Sequence, residues 1–265
     1  MRGKLARELE GYRLPDRPGP DTSTAPVTDA DLERLPPTVQ RYLGFMRCVG
    51  RPRDWSFRIA ARGRFRRSAS EWWMACESWQ YNTRLRLARV FLMRMRFFGI
   101  VPVIGRDTYV DGSGRLQIRL LDLITVGDGT GEAFDVGELV TYLNDAILLS
   151  PSMLLVPQVQ WSAVDDHAFD VALTDCEHTV HARVSVDERG APTDFETTDR
   201  FFADPKDPNQ VTRCRWTTPL DGYRIVGDRP LPTGGRAIWH PTDGPPLEYV
   251  QLAFRPETLA FNVAP

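Results

Sequence analysis

DVGELVTYLNDAILL, residues Asp135 to Leu149, is a strongly apolar helical stretch in a chain whose other patterns are mostly of period two. Val136, Leu139, Val140, Leu143, Ala146 and Ile147 recur at helical spacing and make one apolar face. Tyr142 and Asn144 flank that face, and Glu138, Thr141 and Asp145 lie on the back. The last turn, Ala146 to Leu149, is apolar all round, which predicts burial on every side. A lone helix with so much apolar surface must be covered by sheet, and a sheet curled round one helix makes a pocket.

Outward from the helix, the period changes. Trp55, Phe57, Ile59, Ala61, Gly63 and Phe65 share one face of a predicted strand, with Arg58, Arg62, Arg64 and Arg66 mostly on the other. Glu71 to Tyr81 reads as a second strand. Leu85, Leu87, Phe91, Met93, Met95 and Phe97 form a third alternation opposite Arg84, Arg86, Arg94 and Arg96, part of which could be helical. Asp111-Gly112-Ser113-Gly114 predicts a hairpin turn between Arg106–Val110 and Arg115–Val126. After Ser150-Pro151 ends the helix, strands are predicted at 158–164, 168–174, 179–186, 193–202, 211–218, 223–226, 235–239 and 248–255. Turn residues separate them, including Asp187–Gly190 and Asp204–Asn209. About a dozen short strands with short connections imply an antiparallel meander, and a sheet that long must curl. The fold class is therefore mainly β, α+β by content. A long curved antiparallel sheet, half-barrel or barrel, closes on a central helix.

The N-terminus reads as a helix, Lys4 to Tyr12, followed by a proline-rich linker (PDRPGPDTSTAP). Thr28 or Asp29 caps a turn, and Pro36-Pro37 opens a further helix in which Val39, Tyr42, Leu43 and Met46 align. The division expected is 1–30, helix and flexible linker, and 31–265, one β-rich cavity domain.

Net charge is −2, from 33 basic and 35 acidic residues, which argues against a nucleic-acid or anionic-membrane partner. The start lacks an apolar signal region, and the run from Val90 to Ile104 is broken by Arg94, Arg96 and Pro102, so it predicts no membrane span. A cytoplasmic location follows as the expectation. Cys48, Cys76, Cys176 and Cys214 have no paired spacing and read as free thiols.

No cofactor motif is evident. Gly127-Asp128-Gly129-Thr130-Gly131-Glu132 follows a strand, but Glu132 stands where a dinucleotide loop needs its third glycine; punctuation before the helix is the better reading. His178 and His181 lie in an alternating stretch, so their spacing puts them on opposite faces and not on one metal. No G-x-S-x-G elbow is present. The expectation is a protein with no cofactor and no metal.

Two features remain as candidates for chemistry. Asp145 sits where the helix passes from wet to buried. On the wheel alone it is a solvated carboxylate; alternatively Tyr142, Asn144 and Asp145 reach the cavity mouth, where a carboxylate of raised pKa can act as acid or base. The second feature is seven tryptophans, all in predicted strands. Adjacent Trp72 and Trp73 must point to opposite faces. A few aromatic residues lining a cavity would suit a lipophilic ligand, and Trp161, Trp73, Tyr109, Glu196 and Arg215 are the candidate ligand-binding residues.

Several segments resemble an uncharacterised bacterial family of unknown function: LPPTVQRYL (35–43), GRFR (63–66), RDTYVDGSGRLQIRLL (106–121), GELVTYLNDAILLSPSMLL (137–155), VQWSAVDD (159–166) and RPLPTGG (229–235) followed by Trp239. Members often have Glu at the position of Asp145, and many carry an N-terminal membrane segment that is not read here. The architecture resembles the lipoprotein-carrier half-barrel, which implies a hydrophobic cavity and not catalysis.

Three functions compete, in this order. The first is a cofactor-independent cyclase or isomerase acting on a lipophilic, polyketide-like molecule, with Asp145, Tyr142 and Asn144 as the catalytic groups. The second is a non-catalytic carrier of a lipid or hydrophobic metabolite. The third is an interaction protein using its arginine face. In each case a monomer or homodimer is expected.

Overall fold

A computed structural model describes residues 2–204 and 207–265. The first half of the sheet is a meander of six strands: β1 (Ser56–Phe65), β2 (Met74–Thr83), β3 (Ala88–Phe97), β4 (Val101–Val110), β5 (Ser113–Leu120) and β6 (Ile124–Gly129). Helix α4 (Glu132–Leu149) and a short 3-10 turn, Pro151–Leu154, follow. The second half holds β7 (Val159–Asp165), β8 (Ala168–Asp175), β9 (His178–Val186), β10 (Pro192–Asp204) and β11 (Asp207–Thr217). It continues with β12 (Leu220–Val226), β13 (Arg229–His240) and β14 (Leu247–Phe261). Before the sheet come α1 (Arg2–Tyr12), α2 (Asp29–Leu32) and α3 (Pro37–Phe45).

All fourteen strands belong to one sheet, in the order β6-β5-β4-β3-β2-β1-β14-β13-β11-β10-β9-β8-β7, with β12 beside β13. Every pairing is antiparallel. The two meanders join at their first and last strands, where β1 pairs β14. That leaves β6 and β7 at the two ends, and α4 is the segment that runs from one end to the other. The expected mainly β fold, a curled half-barrel on a central helix, is what forms. At the β1–β14 seam the backbones come so close that a Cβ on Gly63 would sit 1.8 Å from the Gln251 carbonyl oxygen, which accounts for the glycine.

Helix α4 begins three residues before the expected Asp135. Gly131, at φ 96°, caps it, and its carbonyl accepts the amides of Phe134 and Asp135. The predicted strand 115–126 is two strands: Leu121 and Asp122 adopt φ 52° and 58° and turn the chain back on itself. Gly127 to Gly129 therefore finish an edge strand and do not serve as a loop before the helix. The Asp111-Gly112 turn forms as expected, with φ 55° and 77°. Arg84 to Phe97 contains no helix. His178 and His181 both lie in β9, on opposite faces. Of the predicted turn Asp204–Asn209, residues 205 and 206 lie outside the described residues.

The main core lies between the apolar face of α4, helix α3 and the second half of the sheet. Leu139, Leu143, Ala146 and Ile147 pack with Val39, Tyr42, Phe169, Val171, Val184 and Phe195. Tyr42 donates a hydrogen bond to the Ile147 carbonyl at 2.8 Å, tying α3 to α4. Each fully buried Leu or Ile contributes about 1.5–3 kcal/mol. A second core sits on the convex side of the sheet. There Leu5, Leu9 and Leu14, on and just after α1, cover Tyr81, Val90 and Leu92. No helix among the described residues is long and apolar enough to cross a membrane.

Candidate functional site

The back of α4 does not face solvent. Glu138, Thr141 and Asp145, with Asn144 and Leu148, form one wall of an interior cavity of about 480 Å³. The opposite walls come from alternate residues of the sheet: Phe91, Met93 and Met95 on β3, Gly105 and Asp107 on β4, Leu116 and Ile118 on β5, and Trp216, Trp239 and Tyr249 on the far side. Period two selects these residues, because every second side chain of a strand points to the concave face.

Within this mostly apolar space is a compact charged cluster. Arg89 is buried; its Nε donates to Asp145 Oδ2 at 2.7 Å and its Nη1 to Glu138 Oε2 at 3.0 Å. Gln80 adds a second donor to Asp145 at 3.1 Å, and the Thr141 hydroxyl lies 2.9 Å from Glu138 Oε2. Burial pulls the Arg89 guanidinium down, but the carboxylates of Asp145, Glu138 and Asp107 more than offset this and hold it charged. Arg200 lies over the faces of Trp216 and Trp239, 4.6 and 5.3 Å from the ring centroids.

Asp107 is the third carboxylate. It lines the cavity and makes no hydrogen bond with the described residues. Burial first, and then repulsion from Glu138, push it up to about 7, against the pull of Arg89 and Arg200. Burial sets the direction, and the charges do not reverse it: Arg89 is already shared by Glu138 and Asp145, the pull of Arg200 does not outweigh the loss of water, and a proton is the cheapest partner for Asp107 in a low-dielectric wall.

The residues singled out from the sequence scatter. Asp145 and Asn144 line the cavity, the first on Arg89 and Gln80, the second accepting the Thr218 hydroxyl at 2.7 Å. Tyr142 does not reach it. The ring is buried elsewhere, its hydroxyl has no hydrogen-bond partner among the described residues, and burial pushes its pKa up. It sits two positions from Asn144, which is about 200° round the helix. Trp161 is a packing wall, but against Phe169 and Tyr42 under α3, with centroids 5.7 and 6.4 Å away, and not in the cavity. Tyr109 is buried and donates to Asp175 at 2.7 Å, outside the lining. Glu196 and Arg215 pair at 2.5 Å on an exposed surface. Trp73 lies in the turn before β2, beneath Arg64 and Arg66, at 4.8 and 4.6 Å.

Sequence reasoning passed over Arg89 and Asp107. A signal for Arg89 existed: it falls in phase with Leu87, Phe91, Met93 and Met95, a charge on an otherwise apolar strand face. Asp107 is likewise in phase with Val103 and Gly105.

These features define a curled antiparallel half-barrel that encloses a large interior cavity against one helix. The chain belongs to a family of unknown function, DUF6544, whose profile matches residues 25–252. Among solved structures, the chain is similar to the crystal structure of LolA superfamily protein NE2245 from Nitrosomonas europaea. The identity is 10%, the match covers 86% of this chain and 93% of that one, and the TM-score is 0.43. No curated protein sequence matches the chain.

Proposed function

We propose that the cavity binds a lipophilic small molecule that carries one polar group, and that this group is received by Asp107 and the Arg89–Glu138–Asp145 cluster. The observation that carries the reading is the cavity itself: about 480 Å³ walled by Phe, Met, Leu and Trp side chains, within the range of small-molecule sites. The apolar wall supplies affinity through burial. The charged cluster fixes orientation, because an amine or hydroxyl on the ligand satisfies the carboxyl of Asp107, which has no hydrogen-bond partner among the described residues.

Nile red, which fluoresces in apolar surroundings, tests this. Saturable binding is expected, with energy transfer from Trp216 and Trp239. Gly105→Phe should weaken it at least about tenfold by filling the cavity. A Cβ at Gly105 meets nothing nearer than the Met95 methyl at 3.7 Å, so the fold tolerates the start of a side chain there. Equal binding by the variant would remove the cavity from the function.

Asp107 also favours a second reading, acid–base catalysis on the bound molecule, of the cyclase or isomerase kind. A carboxyl near 7 that faces the ligand can give or take a proton at neutral pH. On this reading Asp107 moves the proton, and Asp145 with Asn144 positions the substrate. Asp107→Asn should then abolish turnover of a candidate precursor while leaving Nile red binding intact. Turnover that survives in the variant excludes Asp107 as the proton carrier.

A further inference from the structure

Three neighbouring hairpin tips lie at one end of the first meander: 66–73 between β1 and β2, 98–100 between β3 and β4, and 121–123 between β5 and β6. The pairing Cys76↔Met95 and the bond from the Leu121 amide to the Pro102 carbonyl at 2.9 Å hold them side by side. They carry the four most exposed large apolar side chains of the described residues: Trp72 at 92%, Phe98 at 83%, Ile100 at 78% and Leu123 at 76%. Exposed apolar residues scattered singly need no explanation, but four on adjoining tips form a patch.

Two further observations say what covers it. The patch borders the cavity mouth: Phe65, Arg66 and Arg67 line the cavity, and Arg67 is largely exposed at the same turn as Trp72. The patch is also basic. Residues 66–73, 94–102 and 119–124 contain Arg66, Arg67, Arg94, Arg96 and Arg119 against Glu71 and Asp122. Arg67 pairs with Glu71, Arg94 with Glu77, and Arg119 with Asp122, which also takes Lys4; Arg66 and Arg96 have no acidic partner among the described residues and make the excess beside the apolar tips. Apolar and aromatic tips that project past the sheet, interleaved with arginine, match the interface of an anionic bilayer. A second copy of the chain fits worse, since a symmetric contact over these tips would bring the same arginines face to face.

We propose that this rim docks on an anionic lipid membrane, with Trp72, Phe98, Ile100 and Leu123 entering the acyl boundary and the arginines meeting lipid phosphates. Docking places the cavity mouth at the membrane. In that respect it rests on the reading of the cavity as a lipophilic site, because a molecule dissolved in the bilayer could enter without crossing water. The overall charge of −2 concealed this, since a sum does not show where charge gathers.

Sedimentation with vesicles of phosphatidylcholine, with and without phosphatidylglycerol, tests the docking. The full chain should sediment with the mixed vesicles and stay in solution with the neutral ones. Binding should weaken about fivefold for each arginine replaced by glutamine, Arg96 first. Serine at all four apolar positions should lower binding at least about tenfold, while Nile red binding without vesicles stays as in the parent. The proposal is overturned if the parent ignores the mixed vesicles or if the serine variant binds them equally. It is also overturned if the parent is a dimer that the serine variant dissolves. Failure of Nile red binding with vesicle binding intact would instead sink the cavity reading alone.

Discussion

Two buried carboxylate clusters bracket α4, and they are built in opposite ways. Near the helix C-terminus Asp54 is sealed: its Oδ2 accepts from Ser150 at 2.9 Å, Ser152 at 3.0 Å and Arg229 Nη1 at 2.5 Å, and its Oδ1 accepts Arg229 Nη2 at 2.9 Å. One acid meets one guanidinium fork, the remaining lone pairs are taken, and the void beside it is about 10 Å³, room for roughly one water. Toward the middle of α4, Arg89 holds Glu138 and Asp145, Asp107 is left over, and the space in front is some fifty times larger. A saturated cluster with almost no room is a clasp, joining the end of α4 and the start of β13 to the segment just before β1. An unsaturated cluster facing an apolar cavity leaves an acid and a space that no described residue fills, as the proposed ligand site requires. Burial alone does not separate the two; the count of partners and the empty volume do.

The largest expected effect falls on the clasp. Asp54→Ala strands the Arg229 charge and should cost about 3–5 kcal/mol in urea unfolding, with Nile red affinity unchanged in the folded fraction. A loss below about 1 kcal/mol would erase the distinction drawn between the clusters. Next comes Arg89→Met, which leaves Glu138 and Asp145 without their cation. About 3 kcal/mol of destabilisation is expected at pH 7, less than at the clasp because cavity water can relax the charge.

Asp107→Asn should act in the other direction. An acid whose folded pKa lies above its unfolded value binds its proton more tightly when folded. The parent therefore loses stability as pH rises from about 4 to about 7, by at most about 1.4 kcal/mol per unit. Asparagine removes that slope. Equal stability at pH 4 and a gain of about 1–2 kcal/mol at pH 8 are expected, the upper limit being discounted for cavity water. A parallel pH profile in parent and variant would show Asp107 already charged and paired. The smallest effect belongs to Tyr142→Phe. Deleting a buried hydroxyl with no partner among the described residues should change stability by less than about 1 kcal/mol, toward greater stability, and leave ligand binding alone.

Much of the fold was legible because it rests on local periodicity. The helix, the Asp111-Gly112 hairpin, the α3 start at Pro37 and nearly every strand follow from spacing within a dozen residues. The Leu121-Asp122 turn was missed because it has no glycine; two non-glycine residues adopt positive φ, and the surrounding sheet must hold them there. The site was half legible. The wheel sorted Glu138, Thr141 and Asp145 onto one face correctly, but a polar face looks the same whether water or a cavity lies in front of it.

The sequence by itself determined that an apolar helix would be wrapped by a curled antiparallel sheet, since side-chain period and turn chemistry act between near neighbours. Only the tertiary structure decided what the polar side of that helix meets. Arg89 reaches Asp145 across 56 positions of sequence, and Asp107 becomes the surplus acid because two strands bring it to the same wall. Charge compensation depends on distance and dielectric, which are properties of the packed chain and of no segment within it.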